Sequence, residues 1–267
     1  METDNDKHGK TGVDSNTDIQ DAFVDVRMGK MDLWVKAGLI LLPFSFETCS
    51  SAASLLGIDY NAEVIKLTNS FVWRDYGAEI HGSLGDKFAY RAGVFDGYKG
   101  NDDADLRYTG HIAFNPLGNV NSGWFHSQNK LAKGNYLTLG AGYENQGKAT
   151  YDTVTMKAKD SEAWVVDAQS GFDLGESVGL TLNGAYYDWD SAIYDGNTMF
   201  VETGLLFLSK IQATVKYSNQ DPDSGDKIED YTYGLHYFYK KHNLQGGIEY
   251  RTGDSKDWVL VGIQFLI

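Results

Sequence analysis

The stretch Tyr-Thr-Tyr-Gly-Leu-His-Tyr-Phe-Tyr-Lys (231–240) decides the fold, because it places an aromatic or aliphatic residue at every second position. A period of two residues is typical of a β-strand whose two faces meet different surroundings. The same pattern returns along the chain, with an uncharged face formed by Leu106, Tyr108, Gly110, Ile112 and Phe114; by Trp164, Val166, Ala168, Ser170 and Phe172; by Ile211, Ala213, Val215 and Tyr217; and by Val259, Val261, Ile263, Phe265 and Ile267.

Segments of this kind, separated by clusters of Gly, Asn, Asp and Ser, predict thirteen strands. They span 20–28, 32–42, 71–84, 87–97, 105–115, 135–144, 163–174, 177–188, 198–208, 210–219, 229–240, 242–252 and 257–267. Long stretches with the 3.6-residue period of a helix are missing.

The alternation alone fits two architectures, a transmembrane β-barrel and a soluble β-sandwich. Three features favour the barrel: Tyr and Trp recur at the ends of the uncharged faces, the strands reach about ten residues, and short connections alternate with long ones at 48–70, 145–161, 188–197 and 219–228. The sequence therefore predicts an all-β fold, an antiparallel transmembrane β-barrel.

Composition excludes several classes of function. The net charge of −14 argues against nucleic acid as a partner, and a single Cys excludes an internal disulfide framework and Cys-based metal sites. No cofactor and no metal site are expected, because His81, His111 and His236 lie on distant strands. Calcium in the acidic loop at 221–226 stays open, although the spacing of an EF-hand is absent.

Several stretches resemble the phosphate-selective porin O and P family: KAGLILLPFSFE (36–47), WRDYGAEIHGSL (73–84), FAYRAGVFDGY (88–98), HIAFNPLG (111–118) and YLTLGAGYENQG (136–147). The resemblance implies a homotrimeric outer-membrane barrel of about 16 strands with an inward-folded constriction loop. Thirteen strands and no visible secretory signal at Met1–Lys10 suggest that about three N-terminal strands precede this chain; a fourteenth strand within 58–67 is the alternative.

The predicted organisation is a polar N-terminal tail at 1–18 and a barrel at 19–267. Segment 48–70 is the candidate constriction loop, with an outward surface loop as the alternative interpretation. Residues 116–134 are long for a connection on the short-turn side, and periodicity does not explain them.

The polar face of the strands would line the lumen and set its selectivity. The predicted pore-lining bases are Lys36, Lys87, Arg91 and Arg107, and the predicted pore-lining acids are Asp75, Glu79, Glu144, Asp167 and Glu202. Lys36, Arg91 and Arg107 could form a strip that attracts anions, or they could be ordinary solvated lumen residues paired with Asp75 and Glu79.

The sequence thus predicts an outer-membrane porin, without enzymatic activity, for passive diffusion of small hydrophilic solutes or ions, with anions such as phosphate among the candidates. Outer-membrane lipid is the other expected partner. Two alternatives remain: a plugged or structural barrel, and a lipase-type outer-membrane enzyme. The enzyme rests on the adjacent pair His126-Ser127, a poor dyad because neighbours on a strand point to opposite faces.

Overall fold

A computed structural model describes residues 21–61, 64, 67–68, 73–118, 126–131, 134–152, 157–191 and 193–266. The predicted all-β antiparallel fold is confirmed: within these residues thirteen strands form one sheet in which each strand pairs with its neighbours in the chain. The strands are β1 (Ala22–Arg27), β2 (Leu33–Leu41), β3 (Arg74–Leu84), β4 (Phe88–Phe95), β5 (Arg107–Leu117), β6 (Tyr136–Asp152), β7 (Lys157–Gly175), β8 (Val178–Asp190), β9 (Asp195–Phe207), β10 (Ile211–Pro222), β11 (Ile228–Phe238), β12 (Leu244–Gly253) and β13 (Trp258–Phe265).

The connections predicted at 145–161 and 188–197 are too long: the strands occupy most of these residues. Strands β6 and β7 continue to pair as far as Asp152 and Lys157, and β8 and β9 as far as Asp190 and Asp195. The alternation of apolar and polar residues stops before the hydrogen-bonded ladder does. A strand that extends beyond the apolar band meets water on both faces, so it no longer needs an apolar side.

The alternative of a fourteenth strand within 58–67 is also wrong for the part of that stretch that the structure describes. Val64 N–H donates to Asn61 C=O at 3.0 Å, and Leu67 N–H donates to Val64 C=O at 3.0 Å. Bonds between residues three apart belong to helical turns rather than to a sheet. The predicted tail at 1–18 lies outside the described residues. Among the residues that are described, no helix has the length and apolar character needed to cross a membrane.

The sheet buries its polar face and exposes its apolar one. On β13, Val261 and Ile263 are 68% and 83% exposed, whereas Lys36 on β2 and Arg107 on β5 are 0% and 2% exposed. A soluble sandwich does the reverse, because apolar burial provides its stability. The soluble alternative is therefore wrong, and the exposed face has the character of a surface that contacts lipid.

The outward face also carries paired aromatic rings near the ends of its apolar stretches. Trp164 on β7 packs against Tyr186 on β8 at a centroid distance of 5.5 Å, and Tyr217 on β10 packs against Tyr231 on β11 at 5.3 Å. Such rings, apolar in body and polar at the tip, suit the boundary between lipid and water.

The ends of the sheet are not joined to each other within the described residues. There β1 pairs only with β2, and β13 pairs only with β12. An exposed strand edge presents unpaired N–H and C=O groups.

Candidate functional site

The chain enters the concave side of the sheet directly after β2. Pro43 has no N–H, so the ladder of β2 cannot continue, and residues 42–61 turn inward as the first inward segment. This segment holds a single turn of 3₁₀-helix at Ala52–Ser54, where the Ser51 hydroxyl accepts from Ala53 N–H at 3.3 Å.

The first inward segment crosses the concave face from β2 to β13. The hydrogen bonds that hold it on the far strands are 2.9–3.1 Å long: Phe46 N to Asp167 Oδ2, Tyr187 Oη to Ser45 Oγ, Ile58 N to Glu249 Oε1, and Gln264 Nε2 to Ala53 O. Because one short segment contacts β7, β8, β12 and β13, the sheet must curve around it.

An apolar patch on the concave face of β7, β8 and β9 receives the start of this segment. The patch and the side chains that dock on it are Phe44, Phe46, Val64, Ala163, Val165, Ala185, Tyr187, Trp189 and Phe200. The Phe44 ring lies 5.8 Å from the ring of Tyr187 and 5.5 Å from that of Trp189. Burial of these rings provides the driving force that keeps the segment inside.

Sequence reasoning missed this patch, although the signal is present. Ala163 and Val165 alternate with the outward-facing residues of β7, and Tyr187 and Trp189 do the same on β8. Where both faces of neighbouring strands are apolar, the inner face needs a cover, and the periodicity thus indicates that a segment packs there.

A second inward segment, residues 126–131, lies beside the first. Ser50 and His126 form a parallel bridge, with His126 N–H donating to Cys49 C=O at 2.8 Å and Ser51 N–H donating to His126 C=O at 2.9 Å. The Asn129 amide donates to Gln212 Oε1 on β10 at 2.7 Å. The stretch 116–134, unexplained by periodicity, therefore supplies the end of β5 and this inner segment; Trp124 and Phe125 lie outside the described residues.

Three of the four predicted pore-lining bases are buried beside acids or polar atoms on the concave face. Lys36 Nζ lies 3.3 Å from Glu79 Oε1 and 3.4 Å from Asp25 Oδ2. Arg107 lies 3.8 Å from Glu144 Oε1.

Arg107 also lies 3.9 Å from Asp75 Oδ2. The third buried base, Arg91, donates to the Cys49 sulfur at 3.2 Å. The fourth base, Lys87, lies in the turn between β3 and β4, is exposed, and donates to Gly118 C=O at 3.0 Å.

The predicted pore-lining acids occupy the same interior. Glu79, Glu144, Asp167 and Glu202 are all buried, and Asp75 is half-buried. Glu202 accepts from Asn183 Nδ2 at 3.0 Å. Near it the interior holds a cavity of about 10 Å³, lined by Leu56, Gly57, Glu202, Thr214, Val215, Lys216, Thr232 and Glu249. A cavity of that size accommodates about one water molecule.

The three inward histidines do not converge. Each faces a different carboxylate: His81 lies 3.0 Å from Asp25, His111 lies 2.9 Å from Asp167, and His236 lies 3.4 Å from Glu249. In the part of the chain that the structure describes, no three His, Cys, Asp or Glu side chains are grouped to hold a metal ion. Calcium binding in the loop at 221–226 stays an open prediction.

The pair His126-Ser127 belongs to the second inward segment. Ser127 Oγ donates to the backbone oxygen of Asn129 at 3.1 Å, and Asn129 in turn is bonded to β10 from the concave side. A lipase-type barrel needs its nucleophile on the outer face, next to lipid. The placement of this pair gives that alternative no support.

Comparisons with known proteins give only a distant likeness. No protein-family model matches the chain, and no curated protein matches it. Among solved structures, the KdgM porin is similar at a TM-score of 0.34, and the KdgM porin in complex with disordered oligogalacturonate at 0.35. Each shares 10% sequence identity over 72% of this chain and 93% of the porin. A likeness this remote carries no weight for function, and the phosphate-selective porin family stays a prediction.

Proposed function

We propose that this chain is a porin of the bacterial outer membrane, through which small hydrophilic solutes or ions diffuse passively. The observation that carries the proposal is the reversal of the two faces of the sheet. Apolar residues such as Ile263 are exposed outside, while charged residues such as Lys36 and Glu79 line the concave side. A sheet built this way is stable where lipid covers the outside and water reaches the inside.

Polar atoms of the concave face support a hydrated interior. Glu79 Oε2 and Glu144 Oε2 are buried and have no hydrogen-bond donor among the described residues. Buried carboxylate oxygens are normally satisfied by protein donors or by ordered water, and leaving them unsatisfied is expensive. Ordered water bound beside them in the interior would satisfy both oxygens.

In this proposal the first inward segment is the constriction. It reaches from β2 to β13 across the concave face, so any path through the lumen passes it. The sequence predicts this role for 48–70; the contacts that support it begin earlier, at Ser45 and Phe46.

Phosphate selectivity receives no comparable support. Lys36 and Arg107, two of the bases that would form an anion-attracting strip, lie within 4 Å of acids, and their positive charge is balanced locally. We therefore propose a pore for small ions and polar solutes in general. The homotrimer implied by the family resemblance stays a prediction.

A plugged barrel is the second candidate, and one observation favours it. Both inward segments pack onto the concave face, and Lys36, Glu79, Glu144 and Glu202 are nearly inaccessible there. A lumen filled in this way conducts only if the segments move or leave a narrow hydrated gap.

Single-channel recording separates the two candidates. The purified chain is inserted into a planar bilayer under a salt gradient and recorded at pH 5 and at pH 8, with protein-free bilayers as the control. A porin gives stable conductance steps, and the reversal potential gives the sign of the preferred ion. If protease protection shows that the chain is inserted and no conductance steps appear at either pH, the porin is refuted and the plugged barrel is favoured.

A further inference from the structure

The carboxyl group of Glu47 lies where the two inward segments meet. Its Oε1 accepts from Asn61 N at 2.8 Å and from Asn61 Nδ2 at 3.0 Å, which closes the first inward segment on itself. Its Oε2 accepts from Gln128 Nε2 of the second inward segment. Gln128 Oε1 in turn accepts from Leu56 N at 3.4 Å, and Gln128 C=O accepts from Asn183 Nδ2 on β8 at 3.4 Å. One fully buried carboxyl group therefore joins both segments to each other.

The charges around Glu47 do not favour its ionised form. The titratable groups that interact with it from the other packed elements are Tyr187 on β8, Glu202 on β9 and Lys216 on β10. Further out, Asp167 on β7 accepts from the neighbouring Phe46 N–H, Glu249 on β12 lies near Glu202, and His126 of the second inward segment pairs with Ser50. Among these groups Lys216 is the one lysine or arginine, and no ion pair within 4 Å joins it to Glu47 in the described part of the chain.

We propose that Glu47 is a pH-dependent latch: its protonated form holds the two inward segments together on the concave face, and loss of the proton to solvent loosens them. The hydrogen bonds allow both states. The terminal amide of Asn61, whose Oδ1 has no partner among the described residues, can turn about its last bond, so it donates a hydrogen bond to a carboxylate and accepts one from a protonated carboxyl. What changes on ionisation is the buried charge, which no ion pair among the described residues balances.

Linkage sets the direction of the effect. Burial, followed by the nearby Glu202 carboxylate, raises the pKa of Glu47 from 4.5 to about 7 in the docked state. When the segment is released, the group regains water and its ordinary pKa. Because the pKa of Glu47 is higher in the docked segment than in the released one, docking weakens as the pH rises from the lower of these two values to the higher. Docking is thus strongest below about pH 4.5. Between that pH and pH 7, the equilibrium constant for docking falls by a factor on the order of 10².

Cys49 provides a reporter within the latch itself. It is the single cysteine of the chain, lies two residues beyond Glu47, and is 2% exposed. A polar thiol reagent reaches it only when the first inward segment leaves the concave face. Burial also raises the pKa of the Cys49 thiol, so each labelling rate is divided by the rate of the denatured chain at the same pH.

The test compares wild type with Glu47→Gln, an isosteric side chain that does not ionise. In lipid vesicles between pH 5 and pH 8, the normalised labelling rate of wild type rises by at least tenfold, while that of Glu47→Gln stays flat. A second variant, Glu202→Gln, removes a neighbouring negative charge and moves the wild-type midpoint to lower pH. Parallel pH profiles for wild type and Glu47→Gln would overturn the latch, as would a midpoint that Glu202→Gln leaves in place.

The effect on permeation rests on the proposed function and is measured separately. If loosening the latch widens the pore, conductance of wild type is larger at pH 8 than at pH 5, and Glu47→Gln removes that difference. If labelling of Cys49 depends on pH but the protein does not conduct, the latch is supported and the porin is refuted. If the protein conducts but the labelling rate of Cys49 does not change with pH, the latch is refuted and the porin is supported.

Discussion

Replacing Leu235 by Arg tests the membrane face directly. Leu235 on β11 lies among outward-facing tyrosines, with Tyr231 and Tyr233 on one side and Tyr237 and, one residue beyond the strand, Tyr239 on the other. Tyrosines on both sides place position 235 near the centre of the apolar band. It is 53% exposed and lies opposite Ala213 on β10 and Ile248 on β12.

The expected magnitude depends on what covers this face. If lipid covers it, Leu235→Arg lowers the free energy of unfolding by about 2–4 kcal/mol, the cost of a guanidinium near the bilayer midplane. That corresponds to roughly a 30- to 700-fold change in the folding equilibrium. If water covers it, an exposed substitution changes the free energy of unfolding by only about 0.5 kcal/mol or less.

The assay is urea-dependent folding into phosphatidylcholine vesicles, followed by the fluorescence of the six tryptophans. Met31→Arg is the matched control, because Met31 is 69% exposed in the turn between β1 and β2, outside the strands. We expect a change of about 0.5 kcal/mol or less for this control. Equal free-energy changes for the two variants would refute the assignment of the outward face to lipid.

Two further predictions concern docking of the first inward segment, measured at pH 5 by the normalised labelling rate of Cys49. Phe44→Ala removes a fully buried ring that packs on Tyr187 and Trp189. The free energy of docking weakens by about 3–5 kcal/mol, and labelling of Cys49 accelerates. An unchanged labelling rate would contradict the conclusion that the apolar patch holds the segment inside. Gly142→Ala on β6 would place a methyl group in a steric clash with Phe44 O, so it also accelerates labelling. Gly246→Ala leaves the rate unchanged, because the atom nearest to its methyl group is 3.5 Å away. Equal rates for both alanine variants would show that the segment does not press on β6.

The strands were predictable because their signal is local. In β11 each outward Tyr stands two residues from the next outward side chain, and that spacing alone indicates which side chains face lipid. The ends of β6 and β7 were not predictable in the same way, since pairing such as Thr150 with Lys159 continues where both faces meet water and the alternation disappears.

The candidate site was predictable only in part. The alternation placed Lys36, Arg107 and Glu202 on the inner face, but it could not indicate which acid each base would meet. Lys36 faces Glu79 because β2 and β3 pair with these two residues directly opposite each other. A register of this kind depends on where a 32-residue connection, from 42 to 73, lets the next strand begin.

The sequence by itself determined that this chain forms an antiparallel sheet with one apolar and one charged face, because side chains alternate along every strand whatever its neighbours are. Only the tertiary structure decided what occupies the inside of that sheet. Glu47 meets Gln128 across 81 residues, and Ile58 meets Glu249 across 191. Such contacts form when curvature brings distant strands around one segment, and no local period in the sequence records them.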